Sequence, residues 1–387
     1  MRSPQRRALR LLGELTRRYY SETSVYLPYD YPFREFAAQL WGSRSYIRHM
    51  SFANKGEVQR FLVSKAPKHF YYSSARYDQP GVDDMDAKGW RSSDIVFDID
   101  ADHLPGCEES LVKTESIFGD EASFIEERCI VEAARHTVSL YDILVEELGF
   151  RKDSLQVEFS GHRGFHVTVY LRDTDEEARL GQDYRRELVN YVQAVGLHEE
   201  VLEPWRALGR RRRSIQPVPP LVTMAGYRGR LARTALRLAR GSPLARVFTS
   251  TPVEAARLYA ENREKVDKLL ETARRYASPV VDAQVTVDTR RLIRAPLSLN
   301  GKTMLPVKPL DISSLDEFRV SENLSPFSRL GELRVEILVT SPSPVEVLGH
   351  RLRLRRGERP RLAYPVALYL VAKGAAAPLE GPGVGVN

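Results

Sequence analysis

Apolar and polar positions alternate along this chain with two distinct periods, and the switches between them predict the elements. Residues 5–20 carry Leu9, Leu12, Leu15 and Tyr19 at helical spacing between arginines, the pattern of an amphipathic helix. An aromatic-rich stretch follows from Tyr26 to Trp41, then a short strand at 46–52, YIRHMSF. Residues 92–103, SSDIVFDIDADH, alternate with a period of two: Ile95, Phe97 and Ile99 share one face of a strand, Asp98 and Asp100 the other. Ser123 and Glu126 have the spacing of a capping box, and Ile130, Ala134, Val138, Tyr141, Val145 and Leu148 continue as a helix to about Gly149.

Residues 155–171, LQVEFSGHRGFHVTVYL, alternate on both sides of a glycine-bounded centre and predict a β-hairpin with GHRG at its turn. From 174 to 278 the period becomes helical, with a helix at 183–196 and a second capped start at Thr251, Pro252 and Glu254 that stays helical to Tyr276. Residues 280–300 return to strand character, with Asp282 opening a strand. Further strands are expected near 332–340 and 344–356, and a short helix around 364–373. The end, 374–387, is rich in Gly, Pro and Ala and is expected to be disordered.

Composition changes this picture little. Hydrophobic content of 42% and charged content of 28% across 387 residues suit a soluble globular protein with one large core or two. The net charge of +7, carried largely by arginine, suits a polyanionic partner and equally a heat-adapted surface rich in ion pairs. Arg210 to Arg213 are an unbroken run of cations, either a solvated loop or a nucleic-acid contact. Two cysteines, Cys107 and Cys129, imply no disulfide framework and fit a reducing interior. With no signal-peptide pattern and no apolar run of transmembrane length, a cytoplasmic protein is expected.

Three constellations carry chemistry. Asp98 and Asp100 on one face of a strand repel each other, and either serve a divalent cation such as Mg²⁺ or sit on a solvent-facing edge. Ser160, His162, Arg163 and His166 lie within seven residues at the hairpin turn, either a set of donors for phosphate oxygens or a polar turn with a core-facing histidine. Asp282 is followed by Arg290, Arg291, Arg294, Asn300 and Lys302, either a phosphate-facing segment or a surface salt-bridge cluster. Taken together, three acids and a field of cations are what metal-assisted phosphoryl transfer requires.

The segments DIVFDIDADH (94–103), FSGHRGFHV (159–167) and VDTRRLIRAPLSLNGKT (287–303), preceded in order by REFA, YIRHMSF and YYSSARYDQP, resemble the catalytic small subunit of archaeal–eukaryotic type DNA primases over roughly residues 26–310. The resemblance implies an α+β fold, an α/β-type primase core whose mixed central sheet carries the catalytic acids. The core is expected in two parts, 1–173 and 279–373, around a mainly helical insertion at 174–278. It implies a nucleotidyltransferase that starts short RNA primers de novo on single-stranded DNA, DNA being a second product class, using two Mg²⁺ or Mn²⁺ ions. Asp98, Asp100 and Asp282 match the metal-binding acids, and Glu35, in the REF motif, lies near them. Arg48, Ser160, His162, Arg163, His166, Arg294 and Lys302 match residues that face the nucleoside triphosphate. A large regulatory subunit is the expected partner, in a heterodimer.

Two departures from the family pattern matter. Asn300 stands where members usually have histidine; it can hydrogen-bond a phosphate or sugar but carries no charge. The family's zinc site would here be His103, Cys107, Glu126 and Cys129, with glutamate in place of a cysteine. Because Glu126 also suits the capping box, loss of the zinc site is expected, with Cys129 a buried helix residue. The rival functions are a primase-like polymerase of end joining or lesion bypass, a non-catalytic basic nucleic-acid-binding subunit, and a metal-dependent nuclease.

Overall fold

The computed structural model describes residues 3–196, 218–341 and 343–379. They form two compact units. One is built from residues 1–134, 153–182 and 282–387, the other from 135–152 and 183–281. The arginine run at 210–213 lies outside the described residues.

The first unit holds two four-stranded sheets. One has the order Leu292–Arg294, His69–Ser73, Phe36–Gln39, Tyr46–Met50; the other has Lys308–Leu310, Leu155–Phe159, Gly164–Val169, Ile95–Asp100. The class is α+β, as the sequence suggests. The sheets are antiparallel rather than mixed: every described strand pair runs antiparallel, and hairpins or long returns rather than parallel crossovers join them.

Alternation fixes which face each strand buries. Ile95, Phe97 and Ile99 are fully buried, and Phe159, Phe165 and Phe318 pack ring against ring beside them. The N-terminal helix, Ser3–Glu22, buries Ala8, Leu12, Leu15 and Tyr19 at helical spacing. Its two tyrosines reach a distant loop: Tyr19 donates to the Leu297 carbonyl at 2.7 Å, and the Tyr20 hydroxyl accepts from the Leu299 amide at 3.1 Å.

The start of the carboxylate strand is locked by a buried square of charge. Arg34 bonds Asp30 and Asp94, each at 2.7 Å, and Arg76 bonds the same two acids. Two cations against two anions leave no net buried charge, the condition under which such a cluster is tolerated.

Four expectations are corrected. Ser123 does not cap a helix: it lies on the strand Glu121–Phe124, paired with Val112–Glu115, and the helix begins at Glu127. The S-x-x-E spacing is met by chance where a hairpin strand ends. Asp282 opens no strand; it is the N-cap of a short helix, Ala283–Val287, and its carboxylate accepts from the Gln284 amide. The sheet therefore carries two of the three acids, and a helix start carries the third. The end is ordered as far as residue 379, because Ala376–Pro378 pairs with Arg334–Val339; residues 380–387 lie outside the description. Finally, the two cysteines are joined, Cys107 to Cys129, where no disulfide framework was expected.

The second unit is helical. Its core gathers Leu231, Ala235, Val247, Phe248, Tyr259 and Val266. Thr251 caps the helix Pro252–Glu261, accepting from the Glu254 amide, and the chain breaks at Asn262 before a second helix, Arg263–Ala277. Arg230 grips Glu147 through Nε and Nη2 within this unit. Among the described residues no helix is long and apolar enough to cross a membrane.

Candidate active site

Asp98 and Asp100 stand two residues apart on the last half of their strand, so both side chains leave the same face. The partner strand, Gly164–Val169, sets His166 opposite Asp98 and Gly164 opposite Asp100. Gly164 is required there: a Cβ would lie 2.4 Å from the Ile99 carbonyl oxygen. Gly161, at the other end of the GHRG turn, has φ +73° and would meet the Leu305 carbonyl at 2.9 Å. These two close approaches explain why the turn is bounded by glycine.

The carboxylates are poorly compensated. Burial pushes Asp98 up to about 6, Asp282 adding to the rise while Arg294 opposes it. Burial and the neighbouring Asp98 push Asp100 up to about 6 as well. Asp98 Oδ1 is buried without a hydrogen-bond partner. A buried, unpartnered carboxylate oxygen beside a second carboxylate is a place for a hard cation.

Asp282 reaches this pair from the helix start. Its amide donates to the Asp98 carbonyl at 2.9 Å, while one carboxylate oxygen caps its own helix. No three Asp, Glu, His or Cys side chains among the described residues are already closed round a common point. Asp98 and Asp100 are thus the fitted pair, with Asp282 tied alongside by its backbone.

Facing the carboxylates is a cleft of about 520 Å³. The hairpin turn contributes Ser160, His162 and Arg163, with His166 beyond it. The Ser160 Oγ accepts from the amides of His162 and Gly164, which shapes the turn and leaves the hydroxyl proton to donate outward. Arg163 is held by Asp102 at 2.9 Å and by Ser123 Oγ at 3.1 Å. Burial drives the His162 ring well below the ordinary histidine range and His166 to about 4, so both are neutral at pH 7.

The opposite wall comes from the segment after Asp282. Arg290, Arg291, Arg294 and Lys302 line it, with Tyr46 and Tyr71 beside them. Arg294 lies 5.6 Å from the Tyr71 ring centre, and its Nε is buried without a partner. Burial lowers Lys302, and Arg294, Arg163 and Lys68 lower it further. Like charges crowded round one lysine favour an anion beside it.

Arg48 lines the cleft from Tyr46–Met50 and is gripped from behind by Glu35, with both contacts at 2.9 Å. Glu35 itself is buried, shared with Lys88 at 3.0 Å, and does not line the cleft. Its oxygens are already spent on these cations, so in this structure it braces Arg48 from behind rather than facing the cleft. Asn300 is likewise fully buried and outside the cleft lining. Its amide nitrogen donates to the Ser160 carbonyl at 3.0 Å and its oxygen accepts from the Lys302 amide at 3.1 Å, so it ties two cleft segments together from behind.

The zinc ligand set is not assembled. Cys107 and Cys129 spend their sulfurs on each other, Glu126 turns to Ser110 and Arg128, and His103 is exposed. The bond was illegible because a pair of cysteines twenty-two residues apart has no pairing pattern of its own. Also missed were Tyr46, Tyr71, Asp102 and Lys373. A tyrosine directly before I-R in YIRH was the one available signal among them.

A carboxylate pair facing arginine and lysine side chains across one cleft has the chemistry to hold a cation and a polyanion together. Residues 97–312, more than half of the chain, match the family described as DNA primase small subunit. The DNA primase small subunit PriS of Hyperthermus butylicus is 53% identical over 374 residues, covering 96% of this chain and 97% of the relative. Those of Sulfolobus acidocaldarius and Pyrobaculum arsenaticum are 31% and 35% identical, covering 94% and 87% of this chain and 94% and 89% of the relatives. The chain belongs to the DNA primase small-subunit family; it is a catalytic primase subunit of DNA replication, a nucleotidyltransferase.

Proposed function

We propose that the cleft joins two nucleotides on a single-stranded DNA template, starting RNA primers without a pre-existing end. Asp98 and Asp100, with the free oxygen of Asp282, would hold two divalent cations, Mg²⁺ or Mn²⁺. Bound there, the cations supply neutralisation of the phosphates and a lowered pKa for the attacking hydroxyl.

The chain's own residues seat the triphosphate. Arg163, Arg294 and Lys302 take its charge, the Ser160 hydroxyl and the turn amides donate to its oxygens, and Arg48 closes the row. The neutral His166 ring donates a hydrogen bond without adding a charge next to Asp98. With the non-reacting phosphates fixed, the α-phosphate is held for in-line attack and pyrophosphate leaves among the cations. A large regulatory subunit completes a heterodimer, and the basic surface attracts the template.

The observation that carries this reading is the lining of the cleft, which sets Arg163, Arg294 and Lys302 together with an unpartnered Asp98 oxygen. The test is Mn²⁺ binding followed by electron paramagnetic resonance, with and without nucleoside triphosphate. Tight binding lost in Asp98→Ala and strengthened by nucleotide is expected; binding unchanged in that variant sinks the assignment. Extension of a supplied end with no product from nucleotides and template alone would favour the end-joining type of polymerase instead.

A further inference from the structure

The helix Tyr364–Lys373 ends in a lysine that does not reach solvent. Lys373 is 5% exposed, and it forms no ion pair with a carboxylate among the described residues. A lysine at a helix C-terminus ordinarily extends into water and interacts with the helix dipole. This one lies between the rings of Phe124, at 5.4 Å, and Tyr369, at 5.5 Å. Its ammonium donates to the Ser123 carbonyl and meets His162 Nε2, both in hydrogen-bond contact.

Those two partners belong to the phosphate side of the cleft. Ser123 also holds Arg163 through its hydroxyl, and His162 and Arg163 are the centre of the GHRG turn. Both turn residues line the main cleft and also a second, water-sized cavity of about 20 Å³, which Lys373 and Tyr369 share. Burial, together with Lys302 and Arg163, drives Lys373 well below the ordinary lysine range. A buried nitrogen costs stability unless it is hydrogen-bonded, and among the described residues its one side-chain hydrogen bond is to the imidazole of the turn.

We propose that Lys373 is a positioning residue for nucleotide binding: it fixes the His162 ring and, through it, the turn that presents Arg163 and its neighbouring amides to the triphosphate. This rests on the turn being the triphosphate seat. A sequence reading has no access to the link, because 211 residues separate the two side chains.

The test is steady-state primer synthesis by the full chain as a function of nucleotide concentration, at a temperature where circular dichroism is native. Lys373→Met, which keeps the length and removes the nitrogen, is expected to raise KM for nucleotide about tenfold and leave kcat within about threefold. His162→Ala should do the same, and the double variant should be no worse than either single one, because both remove one link. A purely structural role would not separate KM from kcat or produce this non-additivity. Arg163→Ala serves as the reference. If it raises KM while Lys373→Met does not, or if the Lys373 and His162 effects multiply, the positioning role is overturned and the seat stands. If Arg163→Ala leaves KM unmoved, the seat fails and this inference with it. Should Lys373→Met not fold, His162→Ala alone decides: an unchanged KM overturns the proposal.

Discussion

His166 faces Asp98 across the antiparallel pair, with Nε2 3.6 Å from the carboxylate Oδ1. The distance is that of two groups placed side by side without a hydrogen bond between them. Both are displaced in the direction of neutrality, Asp98 up to about 6 and His166 down to about 4. An acid that resists ionising and a base that resists protonating share one cause, removal from water.

The first prediction concerns pH. Metal binding needs ionised carboxylates, so Mn²⁺ affinity should fall as pH drops through about 6 and be steady above 7. The fall should approach tenfold per pH unit for each proton that must leave. Titrations followed by electron paramagnetic resonance between pH 5 and pH 8 measure it; an affinity flat across that span would remove Asp98 and Asp100 as ligands.

Stability should move the opposite way in metal-free protein. An acid whose folded pKa is raised, here from 3.8 to about 6, contributes stability that is present below the unfolded value and lost as pH rises through the folded one. Asp98→Asn removes that loss. At pH 7 in EDTA the variant should be more stable by up to about 3 kcal/mol, while primer synthesis disappears. Denaturant unfolding alongside the activity assay reads both; an unchanged or lowered midpoint contradicts the burial argument.

Glu35 offers a test of orientation against chemistry. Its carboxylate holds Arg48 and the buried Lys88. Glu35→Ala leaves Lys88 as an uncompensated buried charge and should cost about 3–5 kcal/mol. Glu35→Leu combined with Lys88→Met removes both charges and should recover much of that stability, yet keep a raised KM for nucleotide because Arg48 is no longer held. Recovery of a normal KM in the double variant would show that Arg48 needs no holder.

Much of this architecture was readable from period alone, and the failures have physical reasons. The alternation at 95–100 and at 155–169 placed both carboxylates and the turn correctly, since a half-buried strand has little freedom in how its faces sort. The stretch Val281-Asp282-Ala283-Gln284-Val285 alternates just as well, and its β-branched residues favour a strand. Yet tertiary context makes it a capped helical turn, with Val281 and Val285 buried one helical turn apart. Motifs located the cations of the cleft; they did not distinguish residues that line it from those that brace it. Glu35 and Asn300 brace, and only the partners of their polar atoms reveal it. Lys373 has no motif at all, because its significance lies entirely in what the fold sets beside it.

Asn300 yields a fourth prediction. It bridges the Ser160 carbonyl and the Lys302 amide, joining the hairpin to the cationic segment. Asn300→Ala leaves two buried polar groups unpaired and should cost about 1–3 kcal/mol. It should also raise KM for nucleotide more than it lowers kcat, since Ser160 and Lys302 lose their common anchor. Asn300→Asp keeps the acceptor for Lys302 and loses the donor for Ser160, so its KM should lie between. A wild-type KM in Asn300→Ala would make the bridge irrelevant to the site.

The last prediction concerns Cys107 and Cys129. Cys107 follows the carboxylate strand by seven residues and Cys129 lies in the first turn of the helix at 127–142, so their bond staples the loop after that strand to a helix. Both residues are buried, and no cysteine is free. A cross-link closing a loop with a sequence separation of 22 should contribute about 3 kcal/mol by limiting the unfolded chain. Denaturant unfolding with and without a strong reductant should therefore differ by about that amount. Cys107→Ser/Cys129→Ser should match the reduced protein and be insensitive to reductant. Thiol titration of the denatured, unreduced protein should find none free. Two free thiols together with stoichiometric zinc would replace the staple by a metal site, whereas free thiols without metal would leave the loop held by packing alone.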